Sequence, residues 1–236
     1  MIGLGTIANA AAIVAGGLIG IAAKRFLSAR YQETMIKAMG FAIIVMALGS
    51  TLSKMLTVNG GVLGTQGELQ MILALAGGAL LGEFINLDRF FDRLGKWLRD
   101  KTGSSGDDNF INAFVTASLT VCVGAMAVLG SIQDGLSGDH NTLFAKAVID
   151  FVLIAMMSAS MGKGCMFSAI PVAVVQGSIT LLAQLLAPIL TDAALSGITY
   201  VGNVLILCVG VNLIWPKTIR VANLLPAIVL AVLFAL

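Results

Sequence analysis

The chain has 236 residues, of which 58% are hydrophobic and 11% charged, with a mean hydropathy of +0.98. Fourteen basic and twelve acidic side chains are too few to coat a water-soluble globule of this length, and a net charge of +2 dispersed along the sequence forms no stripe that could meet phosphates. Soluble enzymes and nucleic-acid binders are thereby excluded, and the expected solvent is the lipid bilayer.

A helix that crosses the hydrocarbon core needs roughly 20 mostly apolar residues. Eight stretches meet or approach this, near 4–23, 35–53, 69–86, 110–132, 143–162, 168–190, 195–215 and 221–236. The last is short, and reads as a tilted span, a half-span or a cap on the bundle. Segments such as Leu73 to Leu81 are apolar on every side, where a β-barrel strand would alternate with period two. The expected fold is all-α, a polytopic helical membrane protein of about eight transmembrane helices. The first basic residue, Lys24, follows the first apolar run, so that run lacks the basic leader of a secretory signal and is expected to remain in the mature protein.

Basic residues set the orientation, because cytoplasmic loops collect Lys and Arg. With the amino terminus outside, all of them except Lys54 and Lys146 fall on the cytoplasmic side. Eight crossings then leave both termini extracytoplasmic, and a seven-span alternative moves only the carboxyl terminus. Between the third and fourth spans, Leu87, Phe90, Phe91, Leu94, Trp97 and Leu98 recur with helical period, and Asp88, Arg89, Asp92, Arg93, Lys96 and Arg99 fill the rest. This predicts an amphipathic helix on the cytoplasmic surface, followed by a polar break from Lys101 to Asn109. The organisation is therefore read as a first transmembrane unit (1–86), a cytoplasmic connector (87–109), a second transmembrane unit (110–190) and a carboxyl-terminal helix pair (191–236).

Lys37-Ala-Met-Gly-Phe at the start of span two has a counterpart in Lys146-Ala-Val-Ile-Asp at the start of span five. If spans one to three and four to six are equivalent, their odd number inverts the second unit. Two inverted three-helix repeats plus two extra helices is a pattern that places a site near the bilayer midplane in secondary transporters.

An ionised side chain costs about 2.5–3.5 kcal/mol in the middle of a spanning helix, so each one requires a reason. Asp150 lies well inside span five, with Lys146 one turn before it on the same face. The two are read either as a structural ion pair or as a site in which Asp150 binds a cation or a proton and Lys146 sets its charge. The run Gly130-Ser-Ile-Gln-Asp-Gly-Leu-Ser-Gly-Asp-His-Asn141 closes span four with small residues and oxygens. It is expected either to be an extracellular turn or to unwind the helix and offer Gln133 and Asp134 as ligands. Gln176, between Pro171 and Gly177, and Asn9, early in span one, are the expected polar lining. Asn112, Gln184, Asn203, Asn212 and Glu83 read as interhelical hydrogen-bonding groups. Gly16 with Gly20 and Gly78 with Gly82 read as sites of close helix approach. Cys122, Cys165 and Cys208 read as small core residues, and His140 as a solvated residue with no catalytic role. No nucleophile or metal-cluster signature is present, so no enzymatic activity and no cofactor are expected; the identity of any metal is left open.

Gly5-Thr-Ile-Ala-Asn-Ala10, the run from Cys122 to Gly135, Lys146-Ala-Val-Ile-Asp150 and Arg220-Val-Ala-Asn-Leu-Leu-Pro226 together resemble the YdfK/YqgA-like family of bacterial inner-membrane proteins, over nearly the whole chain. The resemblance implies a bacterial plasma-membrane location and names no substrate. The functional expectation is a small transporter for an inorganic ion or small polar solute, acting as a homodimer, with Asp150, Asp134, Gln133 and Lys146 at its site and Gln176 and Asn9 lining it. A passive ion channel and a non-transporting structural or regulatory membrane protein are the alternatives.

Overall fold

The computed structural model describes residues 1–104, 109–122 and 124–235. The chain opens with helices α1 (Leu4–Lys24) and α2 (Ala29–Met55), then a hairpin of β1 (Leu56–Asn59) and β2 (Val62–Thr65). Next come α3 (Glu68–Ile85), α4 (Leu87–Lys101), α5 (Phe110–Cys122), α6 (Ala125–Ser137) and α7 (Asn141–Met161). A 3-10 turn at Lys163–Ser168 leads into α8 (Ala169–Leu181), followed by the short α9 (Ala183–Leu186) and the long α10 (Asp192–Ile214). A second 3-10 turn at Val221–Leu224 enters α11 (Pro226–Leu233), whose proline occupies an opening position where its missing N–H costs nothing.

Among the described residues, six helical segments are long and apolar enough to cross a bilayer, and the bent pair α5 and α6 makes a seventh if counted as one span. The expected all-α polytopic architecture is thus observed, with three local corrections. The fourth span is not continuous through 110–132: α5 and α6 meet at a 61° bend. The break lies at Gly124, whose φ of +145° strains any residue with a side chain. The run from Gly130, read as either an extracellular turn or an unwound helix end, instead stays helical to Ser137. Its glycines serve contact, since a Cβ at Gly135 would strike the Thr180 carbonyl and one at Gly130 would press into Leu143.

The second correction is the hairpin, which falls where only a polar break was expected. Gly60 and Gly61 carry φ of +59° and +81°, the paired left-handed conformation of a two-residue hairpin turn, and Asn59 pairs with Val62 across it. Third, the final apolar stretch is helical only over Val221–Leu233. At about 1.5 Å per residue it falls short of a hydrocarbon core of about 30 Å. The amphipathic helix is present as α4. Of the expected polar break after it, residues 105–108 lie outside the described residues.

By contact the chain forms two compact units, neither continuous in sequence. The first comprises Met1–Ala38, Arg89–Cys122 and Met126–Ala187; the second is chiefly Met39–Asp88 and Pro188–Leu236. In the first unit α1 lies along α7, and α5 packs on the Lys163–Ser168 turn. A Cβ at Gly16 would collide with the Phe151 carbonyl, and one at Gly20 with the Ala155 carbonyl, so the small-residue pair does bring two backbones together. At one end of this unit Leu98 of α4 packs with Phe110 and Phe114 of α5, while Phe90 and Trp97 are 59% and 55% exposed.

In the second unit α3 packs on α11 and on the turn before it. Here Gly78 abuts Ala227 and Gly82 abuts Asn223, again leaving no room for a side chain. Asn203 of α10 donates to Ser50 Oγ of α2 at 2.8 Å, and Gln70 of α3 is bonded both to Tyr200 Oη and to the Ala231 carbonyl. Asn212 closes the end of α10 by accepting from the backbone of Thr218 and Ile219, and Arg220 pairs with Glu83 at 3.2 Å.

Candidate functional site

Helix α7 buries one stripe, running through Leu143, Lys146, Ala147, Asp150, Ile154, Met157 and Ser158, the i, i+3, i+4 rhythm of a packed face. Lys146 and Asp150 therefore point into the first unit, away from its surface. The Lys146 ammonium donates to both oxygens of Asp150, at 2.9 and 2.7 Å, and Asp150 is only 2% exposed. Such a pair, shut away from water, keeps its charge only if both partners stay together.

Two further helices complete the constellation. Helix α1 lies so close to α7 that the short Asn9 side chain spans the gap, and its Nδ2 donates to Asp150 Oδ2 at 3.0 Å. The same Nδ2 donates to Gln176 Oε1 at 3.3 Å. Gln176 belongs to the buried α8 stripe of Ala169, Val172, Gln176 and Thr180. Asp150 as a carboxylate can only accept, so Asn9 must present its amide NH2, and Gln176 must then turn its carbonyl toward Asn9. The chain of donors runs from Lys146 to Asp150 and from Asn9 to both Asp150 and Gln176. It leaves Asn9 Oδ1 and Gln176 Nε2 buried without a partner among the described residues. Buried polar atoms without a partner are rare and call for an explanation.

One helical turn from Asn9, Asp150 and Gln176 on the same faces stand Ile13, Ile154 and Val172, all fully buried. Beyond them Ser158 and Ser168 carry buried hydroxyls without partners among the described residues, as do Thr6, Ser118, Ser131, Ser160 and Thr180 elsewhere in this unit. A groove of about 530 Å³ runs along α1 and α8, walled by Thr6, Ala10, Ala11, Ala15, Ala169 and Ala173 with Ile7, Val14 and Leu18.

Four of the six residues expected at a site, Asn9, Lys146, Asp150 and Gln176, are thus bonded into one cluster. The other two belong to different hydrogen-bond sets. Asp134 is fully buried at the amino end of α1, where its carboxylate accepts from Gly3 N at 3.1 Å, Gly5 N at 3.2 Å and His140 Nδ1 at 2.9 Å. Helix α1 has no side-chain cap of its own, so a carboxylate from α6 satisfies its orphan N–H groups and its positive end. His140, expected to be solvated, is largely covered and paired. Gln133 accepts from Thr142 Oγ1 at 2.7 Å, which ties the end of α6 to the start of α7. Spacing could reveal Lys146 with Asp150; nothing local signalled Gly3, Gly5 and His140 as partners of Asp134. Among the described residues no group of three or more His, Cys, Asp or Glu could hold a metal ion, and the cysteines form no disulfide.

The distribution of side-chain size settles the class. Helix α3 buries Ala74, Gly78 and Gly82 and exposes Leu69, Ile72, Leu80 and Phe84, the last 90% exposed. A water-soluble helix would do the reverse; small faces inside and bulky aliphatics outside suit a solvent of lipid tails. The fold is that of an all-α polytopic membrane protein with a polar cluster inside one helical unit. The chain belongs to the family described as "Protein of unknown function (DUF554)", which it matches over residues 4–236. It is similar to "Uncharacterized membrane protein YdfK" of Bacillus subtilis (strain 168), 29% identical over 226 residues that cover 96% of this chain and 93% of that one. It is also similar to "Uncharacterized protein YqgA" of Escherichia coli (strain K12), 26% identical over 232 residues covering 97% and 94% respectively. No solved structure matches it.

Proposed function

We propose that the protein is a small transporter for an inorganic ion or small polar solute, with its site at the Asn9, Lys146, Asp150 and Gln176 cluster. The observation that carries this reading is a buried ion pair extended by two amides that end in an unpartnered acceptor and an unpartnered donor. Ionic groups inside a spanning bundle are costly, and hydrophilic traffic is the common reason for keeping them. In this reading the two inverted three-helix repeats rock about the cluster, the protein works as a homodimer in the bacterial inner membrane, and the amino terminus faces outward. Asp134 and Gln133 shape the outer end of the first unit and do not touch the solute.

The test is flux into proteoliposomes. Asp150→Asn keeps the shape and removes the charge, and uptake should fall by about tenfold or more, the loss expected for a charge-assisted bond. Undiminished uptake in that variant would overturn the assignment. A passive channel built on the same residues differs by showing no accelerated exchange in counterflow. The closed bidentate geometry of Lys146 on Asp150 favours a second reading, a non-transporting structural or regulatory protein, whose signature is the absence of flux together with a stable partner in mild detergent.

A further inference from the structure

The cluster carries more information than its presence, because its charges and its loose ends are both defined. Lys146 and Asp150 cancel, and Asn9 and Gln176 are neutral. An arriving cation would meet the Lys146 ammonium or would have to displace it; an arriving anion would meet Asp150. Either leaves an extra unit charge inside a low-dielectric bundle. What the cluster leaves open is one acceptor, Asn9 Oδ1, and one donor, Gln176 Nε2, both on residues buried to within 1% of completeness. Their polarity is not an arbitrary choice of amide orientation, since the carboxylate fixes Asn9 and Asn9 fixes Gln176. The groove on α1 and α8, walled by alanines and aliphatic side chains with Thr6 its polar member, takes in neither Asn9 nor Gln176.

We infer that the solute of this site is a small neutral molecule that offers a hydrogen-bond donor to Asn9 and an acceptor to Gln176, as a primary amide, a urea or a polyol does. The inference rests on the transport reading above and narrows it from ions and polar solutes to uncharged polar solutes.

The full chain in proteoliposomes decides it. Urea, acetamide and glycerol are imposed as gradients and followed by stopped-flow light scattering, while radioactive rubidium and sodium are followed by filtration. The expected result is entry of at least one of the three neutral solutes well above protein-free vesicles, with neither cation entering. Gln176→Met preserves length but removes the donor and the bond from Asn9, and Asn9→Leu removes the acceptor with the bonds to Asp150 and Gln176; each should slow entry by about tenfold or more. Size-exclusion profiles and melting temperatures confirm that both variants are folded, and the wild-type panel decides the solute class even if one is not. Cation flux that requires Asp150, without entry of any neutral solute, overturns the neutral class and keeps the transport reading. Absence of flux for both classes overturns the two together. Neutral entry that survives both folded variants places the solute elsewhere and overturns the site.

Discussion

A single buried bond pattern makes Lys146 and Asp150 interdependent. Removing the ammonium strands a carboxylate that is 2% exposed, and breaking a buried pair from one side costs about 3–5 kcal/mol. Lys146→Met is therefore expected to lower the melting temperature in detergent sharply, while Lys146→Met combined with Asp150→Leu recovers most of the loss. A Lys146→Met protein that melts like wild type would mean that the pair is not closed. Asp134 poses a different problem, because its three donors are Gly3, Gly5 and His140 and two of these are backbone groups at the start of α1. Asp134→Leu should fray the first turn of α1 and raise amide exchange there by about tenfold or more, consistent with about 1.5–3 kcal/mol for bonds to a charged group. The Lys146 and Asp150 pair was legible because it is local, four residues apart on one helix. The bonds of Asp150 to Asn9 and of Asp134 to Gly5 close over sequence separations of 141 and 129, which no periodicity encodes.

At the level of elements, glycine has two meanings that look alike in an apolar helix. Gly20 has the Ala155 carbonyl and Ser158 where its side chain would stand, whereas nothing lies within 4 Å of the corresponding position on Gly49 of α2. Gly20→Ala must push α1 off α7, at a cost of about 1–3 kcal/mol. Gly49→Ala meets no obstacle and gains up to about 1 kcal/mol of helix propensity. Melting of the two variants side by side should move in opposite directions, and equal destabilisation would contradict the observed helix contact. The spacing of Gly16 with Gly20 and of Gly78 with Gly82 pointed to close approach, but not to the partner helix. The bend between α5 and α6 was missed for the same reason. Gly124 sits among as many small residues as Gly130 and Gly135, and only its φ of +145° distinguishes it.

For the whole molecule, crossing number and orientation are linked by parity. With the bent pair counted as one, seven segments among the described residues are long and apolar enough to span, and the short Val221–Leu233 helix decides on which side the carboxyl terminus ends. The excess of Lys and Arg after spans one, three, five and seven predicts an external amino terminus. Alkaline phosphatase fused at the amino terminus should be active and a fluorescent protein there dark, whereas a carboxyl-terminal phosphatase is active only if Val221–Leu233 crosses. An active amino-terminal and inactive carboxyl-terminal phosphatase fusion would show that Val221–Leu233 does not cross.

Sequence by itself determined the solvent, the helical class, the positions of most long apolar helices, the amphipathic helix α4 and the ion pair on α7. Each follows from composition or from a period shorter than two helical turns, and such signals survive without knowledge of neighbours. Only the tertiary structure decided that α1, α7 and α8 share one unit, that Asn9 and Gln176 extend the ion pair while Asp134 caps α1, and that Gly124, rather than the run after Gly130, interrupts the fourth span. Lipid-exposed spans give little pattern from which to read partners, since the bilayer is as apolar as a neighbouring helix. Which faces meet is then set by shape and hydrogen-bond geometry in three dimensions.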